Sequence, residues 1–183
     1  MTTAVMKGGK MKLLKITAIA CATLILLTGA GVAKDLRGQL GLGFNSQLSP
    51  GGMDSISGKY WLNNELGFQG ILGFTMSDNV DEYDLGGKVM FKIKDEENMY
   101  VAGIGGLGLA HVNPDAGDSD TGWWASIGAG LEYFFSGLPN LGFSTELGLY
   151  ISDYNDNTSF GTAADTFVSA GIHYYFGGPK VAK

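Results

Sequence analysis

The sequence predicts an all-β protein: one eight-stranded antiparallel up-and-down β-barrel that crosses a membrane. Three observations predict this fold. Apolar and polar residues alternate with a period of two along most of the chain after Ala33, which is the period of a strand with two different faces. Most alternating segments are ten residues or longer, whereas strands of soluble proteins usually have five or six. A secretory signal peptide precedes them.

The first 33 residues have the three parts of a signal peptide. Four lysines precede an apolar run over residues 16–27, and the small residues Gly31 and Ala33 stand at the −3 and −1 positions of a cleavage site before Lys34. The apolar run is too short to cross a bilayer as a helix, which takes ~20 residues. We therefore divide the chain into a cleaved signal peptide (1–33), a barrel (34–176) and a short C-terminal tail (177–183).

Composition and charge exclude several classes of protein. The single cysteine, Cys21, lies in the predicted signal peptide, so we expect neither a disulfide framework nor a cysteine-based zinc site. The signal peptide holds four lysines and no acidic residue, so the mature chain keeps 8 of the 12 basic residues and all 18 acidic ones, a net charge of −10. Nucleic acid is not an expected partner, because phosphate binding needs clustered Lys and Arg.

Eight segments are predicted as strands because each has an apolar face. In the fifth, Ile104 falls on one parity and Leu107 and Leu109 on the other, and we expect a glycine-associated bulge to switch the phase there. In chain order, with residues of the apolar face in parentheses, the segments are 36–46 (Leu40, Leu42, Phe44), 56–62 (Ile56, Tyr60, Leu62), 65–74 (Phe68, Leu72, Phe74), 83–94 (Leu85, Val89, Phe91), 99–112, 123–135 (Ile127, Leu131, Tyr133), 141–151 (Phe143, Leu147, Leu149) and 168–176 (Ile172, Tyr174, Phe176).

The connections alternate between tight turns and longer polar loops. This order places both termini and the short turns at one end of a barrel and the long loops at the other. The long loops carry acidic residues and no Lys or Arg. The tight turns are 63–64, 95–98 and 136–140, and the long loops are 46–55, 77–82, 113–120 and 153–165.

The polar face distinguishes a barrel in water from a barrel in lipid. A soluble barrel needs many outward charges on every strand, whereas this face is rich in Gly, Ser and Gln, and its few charges have mixed signs. Small side chains suit the narrow interior of an eight-stranded barrel, and charges withdrawn from water persist when they are paired. We therefore predict a polar network in the lumen, formed by Arg37, Lys59, Glu65, Asp84, Lys88, Lys92, Glu132, Glu146 and His173.

The apolar face carries aromatic residues near the strand ends, with aliphatic residues and glycines between them. Aromatic side chains concentrate in this way at the two interfaces of a membrane. The pattern therefore favours lipid outside the barrel. The aromatic residues are Tyr60, Tyr83, Trp123, Tyr133, Phe135, Tyr174 and Phe176.

The segment SAGIHYYF, residues 169–176, places Ser169, Gly171, Tyr174 and Phe176 in the order polar, x, Gly, x, x, aromatic, x, aromatic. It resembles the C-terminal signal that the barrel assembly machinery recognises in bacterial outer-membrane barrels. The mature chain as a whole resembles the small OmpA/OmpX-like outer-membrane β-barrel family. The resemblance implies a bacterial outer-membrane location, contact with outer-membrane lipid and lipopolysaccharide, and assembly by that machinery. In many family members the final aromatic ends the chain, whereas here GGPKVAK follows.

His173 is the obvious catalytic candidate, because Ser169 shares its face and Glu146 lies on the neighbouring predicted strand. The lipid A deacylases, which this architecture resembles, use a Ser/His/acid set that faces lipid. Alternation instead places His173 inside the barrel, and the His-x-Ser motif of that family is lacking around it. We therefore predict no catalytic residue and a hydrogen-bonded histidine in the lumen.

Two further motifs resemble a calcium-binding and a phosphate-binding motif, but neither predicts a binding site. The acidic segment 115–120 lacks the spacing and terminal Glu of an EF-hand, and the glycine-rich segment 103–110 has no Walker lysine and lies within a strand. We predict no metal and no cofactor. The acidic loops are candidates for divalent-cation bridging to lipopolysaccharide or for contact with an extracellular partner.

The sequence therefore predicts a structural or surface-interacting protein, acting in adhesion or membrane integrity, with a lumen plugged by polar side chains. A narrow channel or transporter for small solutes is the first alternative. A lipid A-modifying enzyme and a soluble ligand-binding barrel are the others, and each follows from the same eight-stranded architecture.

Overall fold

The computed structural model describes residues 34–46, 54–77, 80–114, 119–154, 157–162 and 169–177. The predicted signal peptide and the tail after Gly177 lie outside these residues, so both stay predictions. Within the described part of the chain, no helix is long and apolar enough to cross a membrane. The strands are β1 (Leu40–Ser46), β2 (Asp54–Trp61), β3 (Leu66–Met76), β4 (Val80–Glu96), β5 (Met99–Pro114), β6 (Asp120–Phe135), β7 (Leu138–Tyr154), β8 (Asn157–Thr162) and β9 (Ser169–Phe176).

Eight of these strands close into an antiparallel barrel, which confirms the predicted fold class. β1 to β7 pair with their neighbours in chain order, β7 also pairs with β9, and β9 pairs back to β1. The closing register sets Leu40 opposite Phe176 and Phe44 opposite Ile172. SAGIHYYF is therefore the strand that closes the barrel onto the first one, and no edge of this ring stays unpaired.

β8 lies within the predicted loop 153–165, where the sequence predicts no strand. It pairs with the end of β7, with Tyr154 opposite Asn157 and Leu149 opposite Thr162, so β7 and β8 form a hairpin at the end of the barrel that carries the long connections. The strands also run further into two other predicted loops, since β4 begins at Val80, within 77–82, and β5 continues to Pro114, within 113–120. Cross-strand pairing orders these polar residues although they lack an alternating apolar face.

The alternation sorts side chains into an apolar outside and a polar inside. Large apolar residues such as Phe91, Leu107 and Ile127 point outward and are 55%, 71% and 70% exposed, whereas Lys59 and Lys88 are each only 2% exposed inside the barrel. A protein folded in water has the opposite arrangement, because burying apolar surface is what drives its folding.

The predicted change of phase in the fifth strand is wrong. β5 keeps one register with β6 from Met99 to Val112, and Ile104 points inward because it packs on the apolar residues of the lumen. The irregularity lies instead in β4, where Lys92 pairs with Ala102 and Lys94 pairs with Val101. Ile93 is the extra residue of this bulge, so Lys94 points outward rather than inward.

Candidate functional site: the barrel lumen

The lumen is filled in three layers. We call the end with the termini and short turns the turn end, and the opposite end the loop end. An apolar plug closes the turn end, an ionic network fills the middle, and an indole closes the lumen toward the loop end. The plug consists of Leu36, Trp61, Met90, Tyr100, Ala102, Ile104, Phe134 and Tyr175, all buried.

Aromatic rings make up most of the turn-end plug. Trp61 and Tyr100 meet edge to face with their ring centroids 5.0 Å apart, and Phe134 and Tyr175 lie 5.6 Å apart. Lys92 Nζ lies 5.0 Å from the centroid of the Trp61 ring and 2.9 Å from Asp95. Such contacts stabilise the plug beyond its buried area.

Residues 34–39 form a strap that crosses the turn end before β1 begins. Leu36 is fully buried against the plug. Gly38 has a φ of +66°, and its N–H donates to the Trp61 carbonyl at 2.8 Å, so the chain turns sharply from the strap into the barrel wall. Only glycine adopts this conformation without steric cost. The strap therefore belongs to the closure of the lumen.

Lys34 begins the strap and lies over the plug. Its Nζ is 3.6 Å from the centroid of the Phe134 ring and donates to the carbonyl of Pro139. Burial lowers the pKa of Lys34 to about 8, while the nearby Glu132 carboxylate acts in the opposite direction. This ammonium is thus held partly out of water at the edge of the lumen.

The middle layer centres on Glu132. Lys59 Nζ donates to Glu132 Oε2 at 2.9 Å, and the hydroxyl of Tyr175 donates to the same carboxylate at 3.0 Å. Tyr100 donates a further hydrogen bond to Glu132, and Lys59 also reaches Ser144 Oγ at 3.3 Å. A buried carboxylate is stable when it is paired and when its lone pairs accept hydrogen bonds, as they do here.

A second ion pair lies nearer the loop end. Lys88 Nζ is 2.5 Å from Glu146 Oε2, and both side chains are buried. Counting Lys92 and Asp84, the buried side chains of the lumen contribute three cations and three anions. This balance explains how a narrow interior holds so many charges.

His173 belongs to a hydrogen-bonded row inside the lumen. Its Nε2 lies 2.5 Å from Ser57 Oγ, and Gln69 Nε2 donates to the same hydroxyl at 3.2 Å. Both His173 and Ser57 are buried. A cavity of about 10 Å³, close to the minimum for one water molecule, lies in the lumen beside Lys59 and Glu146.

Trp124 closes the lumen toward the loop end. Its indole N–H donates to Asp84 Oδ1 at 3.0 Å, and its ring lies flat against Gly86, Gly106 and Gly108. A Cβ on Gly108 would lie only 2.5 Å from the indole. These glycines on β4 and β5 therefore make the space that the indole fills.

The structure differs from the sequence prediction at two members of the lumen network. Arg37 is exposed on the strap, where it pairs with Asp35 at 2.6 Å, because β1 starts only at Leu40 and the strand alternation does not reach it. Glu65 is exposed in the turn before β3, where Asn63 Oδ1 accepts its backbone N–H. The other predicted members all lie inside the barrel: Lys59, Asp84, Lys88, Lys92, Glu132, Glu146 and His173.

The residues of the predicted assembly signal lie on β9. Tyr174 and Phe176 point outward, 46% and 51% exposed, with ring centroids 4.9 Å apart. Gly171 is opposite Asn45 of β1, and a Cβ there would crowd the Ser144 hydroxyl at 2.7 Å. Ser169 begins the strand opposite Glu146. Recognition of these residues by an assembly machinery stays a prediction.

Sequence reasoning missed the apolar layers inside the lumen. Trp124 follows the outward Trp123 directly, so strict alternation already places one of the two indoles inside, and the same rule applies to Phe134 between Tyr133 and Phe135. The strap carries no such signal, because Leu36 fits the alternation of the first predicted strand, 36–46.

The described part of the chain contains no candidate metal-binding site. No group of three or more His, Cys, Asp or Glu side chains there could hold an ion. Several of the acidic residues of the predicted loops lie outside the described residues, so cation bridging by these loops stays a prediction. These residues are Asp78, Asp115, Asp118, Asp156 and Asp165.

Comparison with known proteins finds similar barrels among solved structures. The N-terminal β-barrel domain of OprF from Pseudomonas aeruginosa aligns over 78% of this chain and 100% of that chain, with 16% identity and a TM-score of 0.47. Ail, the attachment invasion locus protein of Yersinia pestis, aligns over 75% and 95%, with 22% identity and a TM-score of 0.33. No protein-family model and no curated protein matches the chain.

Proposed function

We propose that this protein is an outer-membrane β-barrel with a structural or surface-interacting role and no enzymatic activity. The observation that carries the proposal is the inverted distribution of its side chains, with an apolar outside and a buried ionic inside. Only a closed barrel lets β-structure cross lipid, because every backbone group is then paired within the wall.

The height of the apolar surface supports the membrane assignment. On β4 the outward apolar residues run from Tyr83 to Ile93, ten residue steps along the strand. At ~3.4 Å per residue and a strand tilt of ~40°, this band is ~25 Å tall, the height of the apolar band of outer-membrane barrels. Tyr60, Phe135 and Phe176 mark its turn end, and Phe74, Tyr83 and Trp123 mark its loop end.

The filled lumen favours a structural role over transport. The plug, the two ion pairs and the Trp124 indole follow one another along the barrel axis, and the cavity beside Glu132 and Glu146 is only about 10 Å³. Barrels that conduct freely have about twice as many strands. The protein then acts through its loop end, where the acidic loops would contact lipopolysaccharide or an extracellular partner.

Cell fractionation tests the proposal. We expect the mature protein in the outer-membrane fraction, soluble only in detergent, and migrating faster on a gel when it is left unheated, because the closed barrel resists the detergent. Recovery in the periplasmic supernatant without detergent would contradict it and would favour the soluble ligand-binding barrel.

The absence of enzymatic activity has its own test. We expect lipid A incubated with the purified protein to keep its acyl chains, as measured by mass spectrometry. Deacylation that is lost in His173→Ala would show that the lumen histidine acts chemically.

A further inference from the structure

The β-bulge on β4 sets the direction of Lys94. Ile93 is the extra residue of the bulge, so Lys94 rather than Ile93 pairs with Val101. Without the bulge, Lys94 would point into the lumen opposite Tyr100, where the plug already holds Lys92. The bulge instead turns Lys94 onto the outer wall of the barrel, where its side chain is 64% exposed. Bulges commonly re-aim a side chain in this way.

Among the strands that the structure describes, Lys94 is the only basic residue on the outer wall. The other basic residues of these strands, Lys59, Lys88 and Lys92, are buried inside the barrel. The outward face of β4 carries Asp81 at its loop end and Lys94 at its turn end. The two ends of this face therefore attract opposite charges, and an anion is attracted to the turn end.

Lys94 lies at the turn-end boundary of the apolar band. On β4 the band ends with Phe91 and Ile93, which are 55% and 68% exposed, and Lys94 follows directly. Its Nζ lies 2.7 Å from Glu96 Oε1, two residues nearer the turn end, so the lysine side chain extends along the wall and away from the band. Lysines near the edge of a bilayer extend in this way and hold the ammonium at the level of the lipid headgroups.

The ammonium of Lys94 has donors left for a further anion. It carries three N–H groups, and the ion pair with Glu96 occupies at most one of them. Phosphate oxygens accept charge-assisted hydrogen bonds from an ammonium group. The turn end lies opposite the loops that would contact lipopolysaccharide, so the phosphate within reach of Lys94 belongs to a phospholipid.

We propose that Lys94 binds the phosphate group of a phospholipid in the leaflet at the turn end. The bulge then fixes the depth of the barrel in the bilayer, because it places one cation at the lower boundary of the apolar band. This inference rests on the proposed membrane location, since the phosphate reaches Lys94 only when the barrel is inserted.

Solid-state NMR measures this contact directly. The protein, with isotope-labelled nitrogen in its lysine side chains, is inserted into phosphatidylcholine bilayers, and the loss of lysine Nζ signal through coupling to lipid phosphorus is recorded. We expect this loss to decrease in Lys94→Met by the intensity of a single lysine. Lys34→Met removes the lysine over the plug and should leave the loss as in the wild type. Glu96→Gln keeps the ammonium and should retain the loss as well.

A stability measurement separates a lipid contact from a contact within the protein. We expect Lys94→Met to lower the urea midpoint in phosphatidylcholine bilayers and to leave it unchanged in maltoside micelles, whose headgroups carry no phosphate. An equal decrease in both would assign the effect to the ion pair with Glu96 and would overturn the site.

The outcomes also separate the site from the proposed function. Equal coupling to phosphorus in the wild type and in Lys94→Met, or coupling that disappears in Lys34→Met instead, would overturn the site while the barrel remains inserted. Unheated gel mobility checks that each variant is folded. Failure of the wild type to enter the bilayer at all would overturn the membrane location and the site together.

Discussion

Lys59 and Glu132 form an ion pair across the full width of the lumen. The two residues stand on β2 and β6, which lie four strands apart in a ring of eight, and Lys59 Nζ is 2.9 Å from Glu132 Oε2. Both side chains are buried, and two tyrosines donate hydrogen bonds to the carboxylate. The contact joins opposite walls of the barrel, so it resists both collapse and opening of the lumen.

Loss of Glu132 should destabilise the barrel strongly. Glu132→Gln leaves the Lys59 ammonium buried without its counter-charge, which typically costs about 3–5 kcal/mol. Urea unfolding in phospholipid micelles, followed by the change in gel mobility, measures the effect. The double variant Lys59→Met with Glu132→Gln removes both charges and should recover most of the loss. A single variant as stable as the wild type would contradict the pairing.

The glycines beneath Trp124 should be intolerant of a methyl group. Gly86→Ala places a Cβ against the indole and should destabilise by about 1–3 kcal/mol, the usual effect of overpacking. Its neighbour Gly87 points outward with no close side chain, so Gly87→Ala should change stability by less than ~0.5 kcal/mol. Adding Trp124→Leu to Gly86→Ala should restore part of the loss. Equal effects of the two single variants would contradict the packing of the indole.

The purified protein should show no steady open state in planar bilayers. The lumen is closed by two separate apolar layers, so Trp124→Ala alone should also stay closed, because the plug around Trp61 and Tyr100 remains. Trp123→Ala, on the outward side of the same strand, serves as the matched control. A sustained current through the wild type would support the channel alternative instead.

The strap should become more stable as the pH rises above neutrality. Burial lowers the pKa of Lys34 to about 8, from an ordinary value of 10.5, so the unfolded chain binds the proton more tightly than the folded one. The free energy of unfolding therefore rises between pH about 8 and 10.5, as the folded lysine loses its proton first. The thermal midpoints of wild type and Lys34→Met, measured across this range, isolate the effect. A difference between the two proteins that does not vary with pH would contradict the burial of the ammonium.

The sequence predicts the barrel architecture and most of the polar residues of the lumen, but not the apolar layers above and below them. Alternation located the wall strands and placed Lys59, Lys88 and Glu132 inside, because a period of two is a local property of a strand. It could not pair Lys59 with Glu132, since that contact depends on closure of the ring. It also misplaced Arg37, because the strap precedes β1 and turns into the barrel wall at Gly38, which has a positive φ, so the strand alternation does not extend back to Arg37.

Strand β8 was equally out of reach of the sequence. It continues the wall beside β7, but it lies in a polar segment with no alternating apolar face. The bulge at Ile93 was hidden for a similar reason, since an extra residue is seen only when two strands are set in register.

Depth-dependent fluorescence quenching tests the central claim most directly. The chain has three tryptophans: Trp123 faces outward, whereas Trp61 and Trp124 are buried in the lumen. Single-tryptophan variants, with the other two changed to Phe, are inserted into bilayers whose acyl chains carry bromine near the headgroup end. We expect strong quenching of Trp123 and little of Trp61 or Trp124. Quenching of Trp124 without quenching of Trp123, or none for any of the three, would contradict a barrel with lipid outside and a filled lumen.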